Sequence, residues 1–117
     1  SQNMKIIKKP WGQEELIEVN KDYMVKKLTM FKDHRCSLQF HKYKKETIYV
    51  LSGELEILIG KNKESLERKK YIAGESVTIN PNIIHRMSGI TETTYLECST
   101  PQLEDVERLE DDYNRNK

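Results

Sequence analysis

The sequence predicts an all-β fold, an antiparallel sandwich or barrel of about eight short strands. Three observations predict it. Apolar residues recur with period two, helical periodicity is nearly absent, and Gly, Asn, Pro and charge clusters separate the apolar runs. The first strand is read at residues 14–19. Residues 23–30 follow, with Lys26 and Lys27 between Val25 and Leu28, and then residues 36–41. Residues 47–51 and 54–59 flank Ser52-Gly53, which reads as a hairpin turn. Tyr71-Ile72 follows a charged stretch, and residues 76–79, 84–87 and 93–98 complete the set. The tail differs. Residues 103–117 hold six acids and three bases, with Val106, Leu109 and Tyr113 at i, i+3 and i+7. That spacing predicts a short C-terminal helical turn.

The chain has 117 residues, enough for one domain, assigned to residues 4–117. Ser1-Gln2-Asn3 are read as a cloning remnant ahead of a start at Met4. A net charge of +1 gives no global field toward nucleic acid or anionic membrane. No apolar run is long enough to span a bilayer as a helix, and no secretory segment is expected. Cys36 and Cys98 cannot form the disulfide framework of a small secreted domain, so a reduced, cytoplasmic setting is the expectation. Hydrophobic residues make up 36% of the chain, a share that implies a small core and favours a closed barrel or a homodimer.

The chemistry narrows quickly. No Gly-x-Ser-x-Gly, reactive-cysteine signature or glycine-rich phosphate loop is present. Three histidines remain: His34, His41 and His85. In a strand, residues i and i+2 share a face, so Gln39 and His41 point together, opposite Leu38 and Phe40. Cys36 is assigned to the Leu38/Phe40 face as a packing residue. If the chain bends at residues 42–45 and resumes as a strand, Glu46 faces the same interior. His85 arrives after Gly74 and Asn80-Pro81-Asn82. An amide oxygen, two imidazoles and a carboxylate make a site for a divalent metal, with one or two positions open. The plainer alternative is a half-exposed strand face carrying Gln39 and His41.

The spacing Gln39-x-His41-x4-Glu46-x6-Gly53, then Gly74-x10-His85, resembles the two motifs of the cupin superfamily, with Gln39 where a histidine is usual. Asp33 and Asn82 stand at turn positions and tolerate positive φ. Lys9-Pro10-Trp11-Gly12, Ser37-Leu38-Gln39-Phe40-His41, Val50-Leu51-Ser52-Gly53, His85-Arg86 and the closing segment from Val106 to Arg115 narrow the match. Together they resemble the C-terminal cupin domain of type II mannose-6-phosphate isomerases, in which Gln-x-His is typical. Lys42-Tyr43-Lys44-Lys45 departs from the family's His- and Arg-containing stretch.

The resemblance implies a cupin double-stranded β-helix, or jelly-roll barrel. It implies a metal-dependent isomerase interconverting mannose 6-phosphate and fructose 6-phosphate, in a homodimer. Gln39, His41, Glu46 and His85 would hold the metal, with Zn²⁺ first and Mn²⁺, Co²⁺, Ni²⁺ or Fe²⁺ as alternatives. Arg86 and Lys44 would bind phosphate or enediolate, and Arg108 would join them in binding substrate. Tyr43, Lys44 and a hydroxide at the metal are the candidate bases. Trp11 would pack the N-terminal arm or a dimer contact. Another metal-dependent cupin enzyme, an epimerase or dioxygenase, and a non-catalytic sugar-binding module are the competing readings.

Overall fold

The computed structural model describes residues 5–115, so the tripeptide before Met4 lies outside the described residues. Eleven strands follow in order: β1 (Lys5–Lys9), β2 (Gly12–Val19), β3 (Met24–Met30), β4 (Leu38–Phe40), β5 (Glu46–Ser52), β6 (Glu54–Gly60), β7 (Glu67–Ile72), β8 (Ser76–Ile79), β9 (Ile84–Gly89), β10 (Thr93–Ser99) and β11 (Glu107–Glu110). They form a six-stranded sheet, β1-β2-β3-β10-β5-β8, and a five-stranded sheet, β11-β4-β9-β6-β7. Every pairing is antiparallel. Among the described residues there is no helix, and none long and apolar enough to cross a membrane.

Two expectations are corrected, and one strand is new. The expected C-terminal helical turn is instead strand β11, whose residues Glu107, Arg108 and Glu110 pair with Phe40, Gln39 and Leu38. The free edge of β4 supplies backbone partners that a short isolated helix would lack, and tertiary pairing overrides the i, i+3, i+7 pattern. Ser52-Gly53 is not a hairpin turn, because β5 and β6 lie in different sheets. It is a corner from one sheet to the other. Gly53 has φ 86°, and a Cβ there would sit 2.4 Å from the Glu92 carbonyl oxygen, so only glycine fits. β1 was not foreseen; its Lys-Ile-Ile-Lys-Lys sequence becomes a strand by pairing with β2. Asp33 (φ 61°) and Asn82 (φ 69°) both take the left-handed conformation expected of them.

Alternation decides what enters the interior. Met24, Lys26, Leu28 and Met30 of β3 are buried, with less buried residues between them. On β5 the interior row is Glu46, Ile48 and Val50, and on β10 it is Thr93, Tyr95, Glu97 and Ser99. The interior therefore changes character along each strand. Glu46 gives way to Ile48 and Val50, His85 to Met87, Glu97 to Tyr95, and Lys26 to Leu28 and Met30. The apolar end is one cluster of Trp11, Leu28, Met30, Cys36, Ile48, Val50, Leu55, Ile57, Ile79, Met87 and Tyr95. Burying an aliphatic side chain such as Ile57 there stabilises by roughly 2 kcal/mol. The apolar end makes the barrel rigid, and the polar end is left to carry chemistry.

Candidate metal centre

The polar end opens into a cavity of about 610 Å³ between the sheets. Two of its groups, His41 and Glu46, converge with the buried His85. His41 follows β4, Glu46 opens β5, and His85 lies on β9. One ligand atom from each lies within 4.8 Å of the others. Glu46 Oε2 is 3.3 Å from His85 Nε2 and 3.7 Å from His41 Nε2, and the imidazole centroids are 5.2 Å apart. All three side chains are buried, His85 completely.

The ring orientations are set from behind. His41 Nδ1 donates to the Asp105 carbonyl, and His85 Nδ1 donates to the Ile83 carbonyl at 2.9 Å. Each assignment leaves Nε2 as the free ring nitrogen, facing the other two groups. Both Nε2 atoms are buried without a hydrogen-bond partner, and they face Glu46 Oε2, while Oε1 turns to Lys44. Two unpartnered imidazole nitrogens beside a carboxylate oxygen are costly unless something fills the space between them, and a divalent cation fits that donor set. Burial pushes the Glu46 carboxyl up, but hydrogen bonds from the two rings, whenever Nε2 carries a proton, and the Lys44 ammonium outweigh it and hold the group well below the usual carboxylate range.

Gln39 faces the same cavity from β4, directly opposite His85 on one side and Arg108 on the other. Its Oε1 accepts from Ser37 Oγ at 2.7 Å, which fixes the carboxamide beside the three ligand groups. Lys44 is buried and lines the cavity, with Nζ 3.0 Å from Glu97 Oε2 and 3.3 Å from Glu46 Oε1. Burial alone would lower its pKa, yet Glu97 and Glu46 raise it, so the ammonium stays charged. Arg108 also reaches the cavity, and its Nε is buried with no partner.

Two expected residues are elsewhere. Tyr43 is 71% exposed and does not line the cavity; its backbone N–H, not its hydroxyl, is what the structure uses. Arg86 is buried but lies on the opposite face of β9 from His85. Its Nε donates to the Cys36 carbonyl at 2.8 Å, and a second nitrogen donates to Asp112 at 3.2 Å. A residue next to a ligand in a strand points away from it, so adjacency to His85 places Arg86 outside the cavity. Glu104, four residues before Arg108, makes no ion pair with it among the described residues. Cys36 lines the cavity together with Gln39, because regular alternation lapses between Arg35 and Leu38. Burial pushes its thiol up to about 11, which suits a packing role.

Three further groups belong to the site. Glu97, on β10, lines the cavity between Lys44 and Lys26, with Lys26 its register partner on β3. Burial and the Glu46 charge raise its pKa, against the pull of both lysines. Lys26 Nζ lies 3.6 Å from Glu14 Oε1. Asp105 accepts from the backbone N–H groups of Lys42, Tyr43 and Lys44. A signal existed for two of them. Lys26 is in phase with Leu28 and Met30, and Glu97 with Tyr95, so each breaks an apolar face. Asp105 works through the backbone and has no sequence signature.

Residues 1–111 match the protein family described as mannose-6-phosphate isomerase C-terminal. A mannose-1-phosphate guanylyltransferase from Salmonella typhimurium, RfbM, is 28% identical over 107 residues. That match covers 87% of this chain but only 21% of the relative, so the chain spans about a fifth of that protein. Among solved structures, an RmlC-like cupin from Shewanella frigidimarina matches with a TM-score of 0.75 and 19% identity, covering 89% of each chain. KdgF from Halomonas sp. matches with a TM-score of 0.75 and 14% identity, covering 86% of this chain and 91% of that one. Oxalate decarboxylase from Bacillus subtilis, described with Mn(II) centres, matches with a TM-score of 0.77 and 16% identity. It covers 90% of this chain and 30% of that one. At these identities the structures establish the fold, and the fold is the cupin jelly-roll barrel.

Proposed function

The chain belongs to the mannose-6-phosphate isomerase C-terminal family, and from that premise we propose that it is a metal-dependent isomerase interconverting mannose 6-phosphate and fructose 6-phosphate. The observation that carries the proposal is the convergence of His41, Glu46 and His85, with both imidazole Nε2 atoms unpartnered, beside a cavity lined by buried cations. Gln39 is the fourth ligand in this reading. A divalent metal would supply Lewis-acid stabilisation of negative charge on the substrate's neighbouring oxygens. Zinc suits the donor set, and the Mn(II) described for the Bacillus subtilis oxalate decarboxylase keeps manganese open beside cobalt, nickel and iron.

The chain's own residues supply the rest. Lys44 is held as an ammonium by Glu97 and Glu46, so it acts as a fixed positive donor toward an enediolate, not as the base. Arg108, with its unpartnered Nε, is the cavity's candidate for the phosphate. Aldose–ketose isomerisation needs one group to take a proton from C1 or C2 and return it to the neighbouring carbon. With Tyr43 outside the cavity, Glu97 is the carboxylate placed to do this, and burial raises its affinity for a proton. Its test is turnover of mannose 6-phosphate by stripped protein reloaded with Zn²⁺, Co²⁺ or Mn²⁺, beside His85→Ala. Metal-dependent fructose 6-phosphate formation, lost in the variant, is expected. Folded, metal-loaded protein without turnover would sink the isomerase reading and favour another cupin reaction or a sugar-binding role.

A further inference from the structure

Residues 42–45 form the bend between β4 and β5 and carry Lys44, with the ligands His41 and Glu46 on either side. The bend has little support of its own: Lys42, Tyr43 and Lys45 are exposed. What holds it comes from the segment after β10. Asp105 Oδ1 accepts from the N–H of Lys42 at 3.1 Å, and Oδ2 accepts from those of Tyr43 at 2.7 Å and Lys44 at 2.9 Å. The carbonyl of the same residue accepts from His41 Nδ1. Thr100 closes the other end of the bend, accepting from the Lys45 N–H and donating its own N–H to the Lys45 carbonyl, both at 3.0 Å.

One residue thus fixes a ligand's ring through its backbone and the following three residues through its carboxylate. We infer that Asp105 is a positioning residue for the metal centre, setting His41 Nε2 and the Lys44 bend so that metal uptake depends on the C-terminal segment. Three consecutive N–H groups converging on one carboxylate leave the bend a single conformation, and a fixed ring orientation is what makes an imidazole a strong ligand. Glu46 and His85 do not depend on this contact, being held by β5 and β9, so removing the carboxylate loosens one side of the centre only. The inference rests on the metal reading of His41 and is independent of the sugar-phosphate reaction.

The test is titration of stripped protein with Co²⁺, following affinity and the cobalt absorption bands. The variants are Asp105→Ala, Asp105→Asn and, as a control distant from the site, Thr91→Ala. Asp105→Ala is expected to bind about 10- to 100-fold more weakly, the usual consequence of losing a group that orients a ligand. Asp105→Asn keeps an acceptor and is expected to fall between, with altered bands. Thr91→Ala, which removes a hydroxyl that accepts from Glu54 N–H, is expected to keep wild-type affinity. In wild-type protein, Co²⁺ is expected to slow amide exchange at Lys42, Tyr43 and Lys44, a readout that needs no variant to fold. Wild-type affinity in folded Asp105→Ala, or exchange at these three amides unmoved by bound Co²⁺, would overturn the inference. Wild-type protein that binds no metal would overturn the metal reading with it.

Discussion

At the scale of single residues, the meeting of His41, Glu46 and His85 was legible because strand geometry is strict. Once residues 36–41 and 84–87 are read as strands, His41 and His85 have fixed faces, and the spacing to Glu46 brings a carboxylate between them. The same strictness defeats any inference from adjacency. Arg86 follows His85 and Tyr43 follows the His41 strand, and neither enters the cavity. Lys26 and Glu97 were harder to read, since a charged residue in a short strand ordinarily faces water. Burial of both was legible only in their phase with Leu28 and Tyr95. A prediction follows for Arg86, which is 3% exposed and ties the Cys36 carbonyl to Asp112. Arg86→Met is expected to lower unfolding free energy by about 1–3 kcal/mol, the cost of leaving a buried carbonyl unpaired. Metal affinity should stay unchanged. Urea unfolding beside a metal titration checks both, and loss of metal binding at unaltered stability would return Arg86 to the site.

At the scale of elements, most strands were legible from alternation, and the exceptions share a cause. β1, β11 and the first half of β7 are rich in charge and take strand form because a neighbouring edge offers backbone partners. No local pattern announces such an edge, least of all for β11, whose partner β4 lies far back in the chain. The corner at Gly53 was read as a hairpin for the same reason: turn chemistry tells where a strand ends, not which sheet the next one joins. The C-terminal segment is held largely by carboxylates. Asp111 is held down to about 2, chiefly by Arg115; Arg35 chiefly lowers Asp112; backbone N–H groups lower Asp105 against burial. A depressed carboxyl stabilises the fold above its unfolded pKa, 3.8 for Asp111, and that contribution is lost as pH falls toward about 2. Acidification through this window is expected to release the segment. Trp11, the sole tryptophan, shares the cavity wall with Arg108 and Arg115 and reports it by fluorescence. Asp111→Asn should blunt the part of the transition between pH 3.8 and 2, and an identical acid profile would count against this anchoring.

At the scale of the whole molecule, two sheets close on an interior that is apolar at one end and charged at the other. A chain with 36% hydrophobic residues has a small apolar cluster, so the polar end adds little to stability until its orphaned groups are satisfied. A ligand that binds only the folded barrel raises its stability by mass action, about 2.7 kcal/mol at one hundred times its dissociation constant. The barrel was legible as an all-β antiparallel fold from composition and period, and the resemblance supplied its handed, double-stranded winding. The convergence of five cavity side chains, Gln39, His41, Lys44, Glu46 and Glu97, with His85, from both sheets, needed the closed structure.

The most direct test of this metal centre is calorimetric titration of stripped, folded protein with Zn²⁺, for wild type, His85→Ala and Glu46→Gln. One ion per chain in wild type, a raised unfolding temperature on binding, and loss of both in the two variants is the expected result. Folded wild-type protein that takes up no ion, or variants that bind as wild type does, would contradict it.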